Sequence, residues 1–231
     1  MLDHIFAQYP LPPIVTKAQL VRHLQFCHSL MVATDPLLDL AGMDEKRDEE
    51  QGHADWLARD LSALGIQTVK YDFTAAAIAG AQYYFIQHLD PRVLLGYCAV
   101  LECRTYTPAH VDEMERVIGG KLPCVRFHAE HDTEHGAEVL RQIEAIENER
   151  VKEWIYRNAA DTASAITTIT RIRLAEECAH DRSKDGHHQS GDGDTRSSAS
   201  PDGHGRSSAY CDGVADAART ATARHWHIGR A

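Results

Sequence analysis

Residues 127–138 read Phe-His-Ala-Glu-His-Asp-Thr-Glu-His-Gly-Ala-Glu. On a helix advancing about 100° per residue, His128, Asp132 and His135 fall within about 60° of one another. The same face continues through Val139, Gln142 and Ile146. Its second half is largely apolar, which aims it at a core rather than at water. Two imidazoles and a carboxylate on a buried face are costly unless something pairs them, and a metal ion is the simplest partner. His131, Glu134 and Glu138 lie to the side and read as solvated. Alone, this helix is explained equally well as a charged, solvated face, so the decision falls to the other helices.

Two further stripes carry the same residue types. Within residues 44–64, Glu50, His53, Leu57, Leu61 and Leu64 share one face. Residues 93–102 are apolar all round and end in Glu102, which follows Leu95 and Cys98 on one face. A carboxylate closing such a run is hard to explain as surface decoration. Together Glu50, His53, Glu102, His128, Asp132 and His135 offer three imidazoles and three carboxylates. That is enough for two metal ions with bridging carboxylates, in the manner of helical-bundle metal sites. The set contains no thiolate, which argues against structural zinc. Its imidazoles favour iron or manganese over magnesium. The plainer alternative is a bundle whose polar inner faces are satisfied by hydrogen bonds, and it requires many buried charges to find partners without a metal.

The elements that must position these groups are all helical. Residues 1–15, with Pro10, Pro12 and Pro13, suit an extended N-terminal arm. Thr16 is placed to cap a first helix marked by Leu20, Leu24, Cys27 and Met31, which Pro36 breaks or kinks near its end. Residues 44–64 form the next helix, stopped by Gly65. Asp72 or Thr74 caps a small, apolar helix ending at Gln82–His88. Pro91 opens the buried helix of Glu102, Pro108 opens a short helix closed by Gly119 and Gly120, and the His128 helix runs from Pro123 to about Glu147. A last long helix covers about residues 150–178. No stretch alternates like a strand, so the expected fold is all-α, a bundle of about seven helices over residues 16–180. Residues 181–231 are rich in Ser, Gly, Asp and His and poor in large apolar groups, the composition of a disordered tail.

Composition narrows the function classes. The 231 residues, 43% hydrophobic, suffice for one core, and the net charge of -10 comes with no basic patch, which gives no reason to expect nucleic-acid binding. No uncharged apolar stretch is long enough to span a membrane. The first residues have no basic stretch followed by an apolar run, so no secretory leader is read. The six cysteines form no CxxC pair and read as reduced core residues, which makes the cytoplasm the expected compartment.

The segments Glu49–Gly65, Leu94–Glu102 and His128–His135, in this order, resemble the haem-oxygenase-like diiron oxidases, also called iron-containing redox enzymes. The resemblance spans roughly residues 16–178 and leaves the tail out. It implies a haem-oxygenase-like bundle in which Glu50, His53, Glu102, His128, Asp132 and His135 hold iron. Relatives place a further glutamate on the first helix or just upstream of the Glu/His pair. Residues 19–30 contain no acid, which leaves Asp44, Glu45 and above all Glu49 to supply it. The implied cofactor is Fe(II), two ions, with manganese as the other candidate. The implied partners are O2, a small-molecule substrate such as an amino-acid or fatty-acid derivative, an electron donor and, as an open candidate, a second copy of the chain in a homodimer. The implied chemistry is N-oxygenation, desaturation or C–C cleavage. Three other readings stay open: a haem oxygenase using His23 or His28 as axial ligand, a thiaminase-like enzyme using Cys98 or Cys103, and a helical protein that binds metal or a partner without catalysis.

Overall fold

A computed structural model of the chain describes residues 1–186 except 13, 15, 69–71 and 105, and gives the backbone alone for 177–186. Among the described residues every regular element is helical: α1 (Leu2–Gln8), α2 (Lys17–Ala41), α3 (Asp44–Glu50), α4 (His53–Ala63), α5 (Phe73–His88), a 3-10 turn (Pro91–Val93), α6 (Leu94–Cys103), α7 (Pro108–Ile118), α8 (Pro123–Glu144) and α9 (Glu149–Gly186). The expected polar tail lies outside the described residues, apart from its first six, which complete α9. No described helix is long and apolar enough to cross a membrane.

The helix boundaries follow local chemistry. Thr16 caps α2 through a capping box with Gln19, and the Asp72 carboxylate accepts from the Thr74 and Ala75 amides at the start of α5. Gly42 and Gly119 close α2 and α7 in the left-handed conformation. Three boundaries differ from expectation. Residues 2–8, expected to be extended, form α1, which packs against α9 through Leu2. The prolines that suggested an arm start only at Pro10. Pro36 does not end α2: the helix continues to Ala41, because Leu37 and Leu38 behind the proline are fully buried and hold that turn in place. The single helix expected over residues 44–64 is two. Gly52, at φ 90°, separates α3 from α4 in a backbone conformation that side-chain-bearing residues rarely adopt.

α6 is the axis of the bundle. It is buried on nearly every residue and packs against α9 on one side and α8 on the other. Two glycines set these approaches. A Cβ on Gly96 would stand 2.3 Å from the Ile155 carbonyl oxygen of α9, and one on Gly136 of α8 would stand 3.0 Å from Cys103 Sγ and 3.4 Å from the Glu102 carbonyl oxygen. The first leaves no room for a methyl group, and the second is tight enough that Cys103 would have to give by a few tenths of an ångström. The larger apolar cluster joins α5, α6, α9 and the second half of α2, and a smaller one joins the first half of α2 with α4 and α7. The polar residues singled out in the sequence face the space between the two.

Candidate metal centre

Glu102 enters this space from the last turn of α6, where the glycine contact at position 136 brings α8 against it. On α8, His135 Nδ1 stands 3.8 Å from Glu102 Oε2 and 4.0 Å from Asp132 Oδ1. Two turns before His135, His128 Nδ1 lies 2.9 Å from the same Asp132 oxygen, Oδ1. From the other side come α3 and α4. The turn at Gly52 lets the last residue of one helix meet the first of the next, so that His53 Nδ1 stands 3.0 Å from Glu50 Oε2. The rings of His53 and His128 then meet edge to face at 4.8 Å. Ligand-type atoms of Glu50, Glu102 and His135 all fall within 4.8 Å of one another.

The structure thus brings the six sequence-predicted residues into one cluster, and leaves Glu49 out of it. The Glu49 side chain is half exposed and touches Lys46 at the rim, at 3.3 Å. Another acid, which sequence reasoning missed, borders the cavity. Asp35 lies on α2 beyond the stretch 19–30, and it borders the same cavity as Glu50 and His53. Burial raises its pKa, and the nearby Glu50 charge raises it further. The signal was present in sequence: Leu37 and Leu38 continue the apolar stripe past Pro36 and carry Asp35 inside the helix.

Lys46 is the second missed residue. Its ammonium stands 2.7 Å from Glu102 Oε1 and 3.0 Å from Glu50 Oε1, in the middle of the acids. Burial alone would lower its pKa, but Glu102 and Glu50 outweigh burial and raise it, so the group is a permanent cation. Nothing in the sequence distinguishes it from the other charges of residues 44–50, since its partner on α6 is distant in the chain. Burial raises the pKa of Glu102, with the Glu50 and Asp132 charges adding to it and Lys46 opposing. His128 loses basicity to burial but regains more from its bond to Asp132, which carries it up to about 10.

The donor set tests well against a divalent ion. Glu50 Oε1, His128 Nε2 and His135 Nδ1 are buried without a hydrogen-bond partner. Buried polar atoms without partners are uncommon in folded proteins and cluster where something is to be bound. Lys46 reaches Glu50 Oε1 as an ion pair, off the angle that a hydrogen bond requires. Two unpartnered imidazole nitrogens and a carboxylate oxygen met only by the Lys46 ammonium form a mixed set that suits a borderline cation.

The cavity above this cluster has a volume of about 180 Å³. Leu24, Phe26, Leu30 and Met31 of α2 form much of its wall, and Arg104, Tyr106 and His23 also border it. Tyr106 Oη lies 2.7 Å from His23 Nε2, and Cys27 Sγ lies 3.4 Å from the same atom. His23 Nε2 is therefore engaged rather than available as an axial ligand. Burial pushes the Cys98 thiol up to about 12 and the Cys103 thiol up to about 11, the opposite of what a thiolate nucleophile requires.

These features define an all-α bundle of the haem-oxygenase-like fold with an acid–imidazole cluster against its central helix. Among solved structures, the chain is similar to a domain of unknown function with a heme oxygenase-like fold from Shewanella denitrificans OS217. The two are 16% identical and align over 86% of this chain and 94% of that one, with a TM-score of 0.58. No family model and no curated protein matches the sequence.

Proposed function

We propose that the chain is an iron-dependent enzyme that oxidises a small molecule with O2, its metal centre built on Glu50, Glu102 and His135. The observation that carries this reading is the convergence of ligand atoms from α3, α6 and α8 within 4.8 Å. His128, Asp132 and His53 stand beside that group, with Asp35 at its edge, which gives enough donors for two ferrous ions or, alternatively, manganese. When bound, iron would supply the one-electron chemistry that O2 needs and that amino-acid side chains lack.

The chain's own residues do the rest. Lys46 neutralises Glu50 and Glu102 in the metal-free protein, so that two largely covered carboxylates coexist at short range. With a cation bound there, Glu50 and Glu102 would hold it, and Lys46 would no longer be needed to neutralise them. Asp132 holds His128 by its Nδ1 and leaves Nε2 to face a ligand. Leu24, Phe26 and Leu30 exclude water from the cavity above, which strengthens every charge interaction inside it. The electron donor is a separate partner.

The haem reading is disfavoured by the acids Glu50, Glu102 and Asp132 that line the cavity, which a haem pocket does not need, and the thiol reading by the raised pKa of the Cys98 and Cys103 thiols. Anaerobic Fe(II) titration of the full-length protein is the test. About two ions should bind, and Glu102→Gln and His135→Ala should each lower affinity at least about tenfold. Full loading in both variants would sink the assignment. Iron loading without O2 uptake in the presence of a reductant and of apolar acids or amino acids would instead make this a metal-binding protein without catalysis.

A further inference from the structure

Arg104 caps the end of α6 and has no acidic partner among the described residues. Its guanidinium donates to the Thr167 hydroxyl at 2.8 Å, to the Ala163 carbonyl at 3.5 Å, and to the carbonyl of Tyr9. All three acceptors are neutral. They engage only the two terminal nitrogens, so Nε–H and one further N–H have no protein acceptor. The acids of the metal centre do not serve it: Glu102, two residues away, is met by Lys46 and His135 instead.

A second unpartnered donor borders the same cavity. His23 is buried and its Nδ1 has no partner. Two potential donors, Tyr106 O–H and Cys27 S–H, face its Nε2, which makes Nε2 the acceptor and leaves the proton on Nδ1. Burial pushes the ring down to about 4, so it is a neutral N–H donor at physiological pH. Arg104, with two unfilled N–H groups, and His23, with an unpartnered N–H, thus both line a cavity whose walls also include Leu24, Phe26, Leu30 and Met31.

We infer that Arg104 and His23 form an anion-anchoring subsite and that the cavity takes a monocarboxylic acid with an apolar body. The carboxylate is held by Arg104 and by His23 Nδ1–H. The body lies against the leucines and Phe26, toward the acid-lined side of the cavity at Glu102 and His128. A simple alcohol leaves Arg104 without its anion, and an amine adds a second cation beside it. As an account of the substrate this rests on the metal-centre reading above, but the anchoring itself requires no metal.

The test uses the full-length, metal-free protein and calorimetric titration with octanoate, octan-1-ol and octylamine. Octanoate should bind at one saturable site at least about tenfold tighter than octan-1-ol, as expected for a charge-assisted hydrogen bond in a partly buried site. Arg104→Gln should remove that preference while octan-1-ol binding stays, which also shows that the cavity is still folded. Arg104→Lys, which keeps the charge but not the fork, should retain part of it and serves if the glutamine variant does not fold. His23→Phe should weaken octanoate to a lesser degree. Absence of octanoate binding, equal affinity for octanoate and octan-1-ol, or unchanged preference in Arg104→Gln would overturn the inference. Iron binding without carboxylate preference would leave the metal centre standing and remove the anchor, and carboxylate preference without iron binding would do the reverse.

Discussion

Glu115 of α7 and Glu102 of α6 are both buried glutamates packed near α8, and their surroundings differ in kind. Glu115 receives Lys121 at 2.8 Å, Arg126 at 2.9 Å and the Leu122 amide at 3.1 Å. Burial works against its charge, but these donors outweigh it and hold the carboxyl down to about 2. Every partner lies within eleven residues along the chain, and the cluster ties the α7–α8 turn together. Glu102 has a single ammonium, shared with Glu50, and two acidic neighbours whose charges raise its pKa. Its closest imidazole stands at 3.8 Å, too far for a hydrogen bond. A carboxylate that stabilises a fold is surrounded by donors until its oxygens are satisfied. Glu102 is instead surrounded by other acceptors, the arrangement that the proposed metal centre would use.

The contrast can be broken most sharply at Glu115. Glu115→Ala should destabilise the protein by about 3 kcal/mol, because it leaves Arg126 and the Leu122 amide without their acceptor, and chemical denaturation would measure this. At the other cluster, Lys46→Met should cost about 2 kcal/mol in the metal-free protein by leaving Glu50 and Glu102 without a cation. The stabilisation gained on adding Fe(II) or Mn(II) should then exceed that of the parent protein. Equal metal-induced shifts in the two proteins would mean that Lys46 and the ion do not share the site. Acid should separate the clusters further. The Glu115 carboxyl is depressed, so its contribution is fully present above the unfolded value of about 4.3 and is lost as pH falls toward about 2. Glu115→Gln should flatten the stability profile in that window. Glu102→Gln should have the smallest effect on folding, within about 1 kcal/mol, since it removes a charge that has few donors. A loss as large as that of Glu115→Ala would place both glutamates in the same structural role.

Much of this arrangement was legible in the sequence, and the illegible parts share a cause. His128, Asp132 and His135 lie on one helix, where a spacing of three and four residues fixes a common face. Glu50 and His53 meet as their spacing suggests, although by way of the turn at Gly52 rather than along a continuous helix. Glu102 stands out because a carboxylate closes an apolar run. The all-α fold follows from the caps and periodicities at Thr16, Asp72, Pro108 and Gly119. Lys46 and Arg104 could not be singled out, because what distinguishes them is their partners on other helices: a pair of acids for one, and only neutral acceptors for the other. Asp35 was passed over because Pro36, whose local rule is to break or kink a helix, follows it directly, although the buried pair Leu37 and Leu38 continues the apolar stripe. The arm at residues 2–8 is helical because Leu2 is buried against α9, a contact that no local pattern announces.

α3 carries both Lys46 and Glu50 and buries none of its seven residues. Its hold on the rest of the chain is therefore set by charge rather than by apolar area. A segment of that kind opens at a small cost in free energy, well below that of global unfolding, so its amides exchange with solvent while the rest of the bundle stays closed. Salt and chelators should speed that exchange and a bound cation should slow it. On the proposed metal centre, the ion would act as the missing core of α3, and protease access to that segment should fall as metal is added.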